Sequence, residues 1–199
     1  MIYAECPDYF EWVHSSTTDL EQALMRTHSP SPWFPCWRIN FDSPIESAKE
    51  IALHLDAVSS DRSWCLVGAR SVGSERQLWA AWSATRKKEQ SKTMSARSVE
   101  MELILHLAGT QNIDLALKRA GISEEDHQAW LLHLPAINPE VLPELDWREL
   151  EHEANRLARS ILAEIAPRRP SLEMVDSNQL GIEELCLHEL DLLAHISLV

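Results

Sequence analysis

The chain predicts a mixed α+β fold in one domain, and three observations carry that reading. Short apolar runs at 33–41, 64–72 and 129–134 have the length and composition of strands. Between them lie longer stretches with apolar residues at helical spacing. The chain has 199 residues, 45% of them hydrophobic, which suits a single packed core.

In chain order, Thr18-Asp19-Leu20-Glu21 has capping-box spacing and predicts a short helix. Ser29-Pro30-Ser31-Pro32 predicts a turn. The run Trp33 to Phe41 predicts a strand, and Pro35 within it argues for an edge position. Ser43-Pro44-Ile45-Glu46 combines an N-cap, a proline at the first helical position and a glutamate three residues on. It predicts a helix to about Val58 with Ile45, Ala48, Ala52 and Leu55 on one face. After the strand at 64–72, Gly73-Ser74 marks a turn and a helix follows over 75–89.

Two further helices are predicted between Ser95 and Ile122. Val99, Leu103 and Leu107 form one stripe with Ile104 and Ala108 beside it, while Glu100, Glu102 and His106 fall off it. Gly109 ends the first helix and Asn112 caps the second. Ile113, Ala116, Leu117 and Ala120 should then face inward, and Leu103, Leu107, Ile113, Leu117 and Leu131 should be buried together. Asp146, with Glu149 three residues later, caps a long helix carrying Trp147, Leu150, Ala154, Leu157, Ile161 and Ile165. Pro167-Arg168-Arg169-Pro170 predicts a hinge, dividing a core over 1–166 from an acidic, apolar-ended tail over 167–199.

Composition narrows the function. A net charge of −13 argues against general coating of DNA or RNA. One region departs from the rest: residues 62–97 hold eight basic residues against two acidic ones, whereas each flanking region is acidic. That pattern fits a local phosphate contact rather than a broad binding face. Arg97 is either ion-paired to a neighbouring acid or reaches a phosphate near a helix N-terminus. Arg86-Lys87-Lys88 suits a solvated helix end, where cations complement the dipole. Trp79 and Trp82, three apart on one helix, are core residues or a stacking surface for bases, with core favoured.

Chemistry is conspicuous mainly by exclusion. The sequence holds no phosphate-cradling glycine-rich loop, no G-x-S-x-G and no H-E-x-x-H, and its nine histidines are scattered. Cys6, Cys36, Cys65 and Cys186 lack metal-binding spacing and read as reduced thiols. No cofactor and no metal is expected. The N-terminus has no signal-peptide pattern and no stretch approaches the roughly 18 apolar residues of a spanning helix, so the expectation is a soluble cytoplasmic protein without a membrane or DNA partner. The reading is of a binding or regulatory protein, not an enzyme.

The run Ala96-Arg97-Ser98, Glu102, Leu105, Leu107-Ala108-Gly109, Asn112-Ile113, Ala116-Leu117 and Gly121-Ile122 resembles the small PRPK-binding subunit of the KEOPS (EKC) complex, in its archaeal form. The resemblance extends upstream through Gln77-Leu78 and the Ala81/Ala84 helix and reappears at Leu180-Gly181-Ile182-Glu183-Glu184-Leu185; the first 60 residues match poorly. It implies a compact α+β domain with a small sheet covered by helices. It implies a non-catalytic subunit that binds the kinase-like ATPase of KEOPS, and through it the rest of the complex. That complex makes threonylcarbamoyladenosine next to the tRNA anticodon, and the subunit recruits tRNA by its single-stranded 3′ CCA end. Candidate tRNA contacts are Arg70, Arg76, Arg86, Lys87, Lys88, Lys92 and Arg97. Candidate partner contacts are Leu190, Leu193, Ile196 and Leu198 of the apolar tail, which otherwise docks on its own domain. A stand-alone interaction module without RNA is the alternative.

Overall fold

The computed structural model describes residues 33–59, 63–135, 145–182, 188–197 and 199, all within one compact unit, Trp33–Val199. The expected helix at Thr18, the Ser29–Pro32 turn and the residues Arg62, Cys6, Cys186 and Leu198 lie outside the described residues.

Four strands form one antiparallel sheet: β1 (Cys36–Phe41), β2 (Trp64–Gly68), β3 (Gln128–His133) and β4 (Ala163–Ala166), in the order β2-β3-β1-β4. Ile39 of β1 faces Ala129 on one side and Ile165 on the other. β1 is therefore a central strand, not the edge strand predicted from Pro35. The proline sits just before the strand, where its carbonyl accepts from His133 N–H at 2.9 Å and its missing N–H costs nothing.

Strand residues alternate between two cores, as the twofold period requires. Cys36, Cys65, Val67, Trp130 and Leu132 face one core. It is completed by helices α2 (Glu75–Ser91), α3 (Val99–Ala108), α4 (Ile113–Ala120) and α7 (Glu189–Ile196), with Leu180 of the short α6 (Ser177–Leu180). Ile39, Phe41, Trp64, Leu66, Ala129, Leu131 and Ala163 face the other, against α1 (Ala48–Val58) and α5 (Trp147–Ser160). The domain is an antiparallel sheet with helices on both faces, the α+β class predicted. Leu180, Ile182, Leu192 and Ile196, all beyond the expected hinge, belong to the first core.

Several local expectations are corrected. α1 starts at Ala48 with Ser47 as N-cap, its hydroxyl accepting from Glu50 N–H. The Ser43 start is displaced because the Ile45 backbone pairs with the loop before β3, through Asp126 O and Glu125 N–H. Ala52 is exposed. β2 stops at Gly68, and the turn that follows is closed by Ser71 N–H and Oγ donating to Gly68 O. α5 ends at Ser160 instead of running on to Ile165. Leu162 takes a left-handed φ of 55°, and the next four residues become β4. Ile165 fits either period, and pairing with Ile39 of β1 decides for the strand.

Leu103 and Leu107 are fully buried as expected, but Leu131 sits in the other core, and Ile113 and Leu117 are 44% and 43% exposed. α4 buries only its small residues, Ala116 and Ala120, because it lies close against its neighbours. Cys36 and Cys65 are buried reduced thiols; burial pushes both pKa values up, so neither is a nucleophile at neutral pH.

Candidate functional site

Two places gather the functional candidates: the α2–α3 junction and the C-terminal helix.

At the junction, α2 closes on Lys92 in the left-handed region, φ 56°, with its N–H on Glu89 O and Lys88 O. Ser98 opens α3, its side chain accepting from Met101 N–H at 3.3 Å. Between them the loop turns inward at Ala96, which is buried, and outward at Arg97, which is exposed. The inward turn has a polar cause. Glu102 has no solvent-accessible surface, yet its carboxylate accepts from Ala96 N–H at 2.7 Å and from Lys88 Nζ at 2.9 Å. Burial works to raise the pKa of Glu102, but these donors outweigh burial and hold it below the ordinary carboxylate value. One turn further, His106 Nε2 lies 4.0 Å from the same carboxylate and His106 Nδ1 lies 3.3 Å from Ile196 O in α7.

The basic segment does not form one patch. α2 is about 25 Å long at 1.5 Å per residue, and the candidates divide between its ends. Arg70 and Arg76 lie by its N-terminus, paired with Asp176 at 3.7 Å and Glu189 at 3.1 Å. At the other end Lys87, Lys92 and Arg97 are exposed and make no ion pair among the described residues. Arg86 is buried: its guanidinium donates to Leu134 O at 2.7 Å and pairs with Glu89 at 2.7 Å. This corrects the solvated-helix-end reading for Arg86, which is tied into the fold. Lys88 is spent on Glu102. Trp82 is core, its indole N–H on Pro135 O at 3.1 Å; Trp79 packs edge-on against it and against Phe34.

The C-terminal helix docks on its own domain. Leu192 and Ile196 are buried and Leu193 packs against the same core, while Leu190 is 74% exposed. Gly109, the α3 cap with φ 58°, lets the His195 ring lie directly over it. Arg119 Nη1 donates to the backbone carbonyl of Ala108 at 3.2 Å and so caps the C-terminal end of α3, beside the His195 ring. Of the tail candidates among the described residues, only Leu190 is presented outward in full.

Sequence reasoning missed Glu102, His106 and His195 as buried polar groups. A charged residue at every third or fourth position of an otherwise apolar helix, within a matched motif, was the available signal. Among the described residues no group of three or more His, Cys, Asp or Glu could hold a metal ion, and no helix is long and apolar enough to cross a membrane.

The α+β unit presents an anchored basic loop and an outward apolar residue on its last helix. The chain belongs to the kinase binding protein CGI-121 family, whose model matches residues 43–167, more than half of its length. It is thus a member of a kinase-binding family. No curated protein matches the chain.

Proposed function

We propose that the protein is the non-catalytic, tRNA-recruiting subunit of a cytoplasmic KEOPS complex. In this role it binds the kinase-like ATPase subunit and, separately, the single-stranded 3′ CCA end of tRNA. The complex as a whole makes threonylcarbamoyladenosine beside the anticodon. The kinase half rests on family membership. The RNA half rests on one observation: Lys87, Lys92 and Arg97 are exposed together around an ordered loop in a protein that is otherwise acidic. A single-stranded end offers a few phosphates and unstacked bases, and three cations at the end of α2 and in the loop after it suffice for it where a −13 protein could not coat a duplex. Arg70, Arg76 and Lys88 contribute less in this reading, because each is paired to an acid.

The test is binding of intact tRNA against tRNA trimmed of its CCA end, together with capture of the ATPase subunit. Intact tRNA should bind, trimmed tRNA much more weakly, with a shallow salt slope of about −0.7 per phosphate engaged. Equal affinity for both tRNAs refutes the CCA reading. Capture without any tRNA binding leaves an interaction module alone.

A further inference from the structure

We propose that Glu102 is a positioning residue for the RNA contact: its buried carboxylate fixes the α2–α3 loop so that Arg97 is presented to a phosphate. The proposal rests on the tRNA reading above and names the part of the fold on which it depends.

Among the described acids Glu102 is the only one in the buried class. A carboxylate is not buried without cause, because leaving water is unfavourable unless partners replace it. The partners here are informative. One is a backbone N–H of the loop, that of Ala96, and the other is Lys88 near the end of α2. One side chain of α3 therefore ties together the end of one helix, the loop and the start of the next. Arg97 lies between two held points: Ala96 is fixed by Glu102, and Ser98 is fixed as the N-cap of α3. Its backbone is immobilised on both sides while its side chain stays exposed.

The energetic logic is preorganisation. A loose loop would have to be ordered when RNA binds, at a cost in conformational entropy. An anchored loop has met that cost during folding. Neutralising Lys88 has a second effect, since it leaves Arg97, Lys87 and Lys92 as the exposed cations of this end.

The experiment uses the full chain with Glu102→Gln, Arg97→Ala and the double variant. Three readouts are taken: amide hydrogen exchange at Ala96, affinity for an intact tRNA transcript, and capture of the kinase-like ATPase. In Glu102→Gln the exchange of Ala96 should speed up about tenfold or more, and tRNA affinity should fall about 10- to 100-fold, the worth of a lost charge-assisted hydrogen bond. Capture of the ATPase should not change. The double variant should bind tRNA no more weakly than Arg97→Ala alone, because a positioning residue has nothing left to position. Unchanged exchange at Ala96, or fully additive losses in the double variant, overturns the proposal. A wild-type chain with no affinity for tRNA refutes the functional reading and the positioning role with it; the exchange arm then still separates that failure from a loop that Glu102 does not hold. If Glu102→Gln does not fold, Glu102→Asp replaces it. That variant keeps the charge but falls one methylene short of the Ala96 N–H, and the same directions are expected.

Discussion

Replacing Gly109 with alanine probes how the last helix is held. Two costs add. Gly109 sits at φ 58°, and a non-glycine residue there costs roughly 1–2 kcal/mol. A β-carbon would also lie 2.5 Å from Cε1 and 2.6 Å from Cδ2 of His195. The ring cannot swing away freely, because His195 is buried. Overpacking of this kind costs about 1–3 kcal/mol. The sum, about 2–5 kcal/mol, lowers Tm by roughly 4–20 °C for a chain of this size. Urea denaturation of Gly109→Ala, His195→Ala and the double variant separates the costs. With the ring removed, the alanine at 109 should cost only the backbone share, giving a coupling of about 1–3 kcal/mol between the two sites. A coupling near zero would show that His195 does not pack over Gly109, and the docking of α7 described above would be wrong.

Leu103→Ala should cost about 2–5 kcal/mol, since the side chain is fully buried. Leu117→Ala, 43% exposed, should cost under about 1 kcal/mol, and equal losses in the two variants would contradict the placement of α4. Leu190→Asp should leave the unfolding midpoint within about 0.5 kcal/mol of wild type and weaken capture of the kinase-like ATPase; a variant that binds equally well removes this face of α7 from the interface. Stability should also fall with acid in two stages. Burial, with help from Lys88 for His106 and from Arg119 for His195, holds both histidines below their ordinary 6.5. The unfolded chain therefore binds more protons, and stability present above pH 6.5 is lost as pH drops through the lower folded values. Glu102, held below 4.5, adds a second loss below that pH. Urea midpoints at pH 7.5, about 5.5 and about 4 check this; a midpoint that does not move refutes it.

Caps and periods were legible in the sequence. Asn112 and Asp146 cap their helices by a side chain and Gly109 ends α3, as their local spacing predicts, because these effects act within four residues; the Ser43 cap moved to Ser47. What failed depended on distant partners. Pro35 argued for an edge, yet β1 is central because β4 forms far along the chain and pairs with it. Ile113 and Leu117 had the right spacing for a core stripe, but α4 turns its alanines inward. At the candidate site, Arg97, Lys87 and Lys92 were identified from charge and motif. Arg86 could not be told from them, because its burial depends on Leu134 O, on a different element. Glu102 looked like a surface acid until the loop folded over it.

The central place of β1 has a consequence in time. During synthesis Ile39 leaves the ribosome well before Ala129 and Ile165, its neighbours on either side. At about 5–20 residues per second, roughly 6–25 s pass between β1 and β4. Until β3 emerges the strand has no permanent partner, and until β4 emerges one of its edges stays open to other chains. The polar residues Arg38 and Asn40, interleaved with Ile39 and Phe41, keep this waiting strand from being a continuous apolar edge.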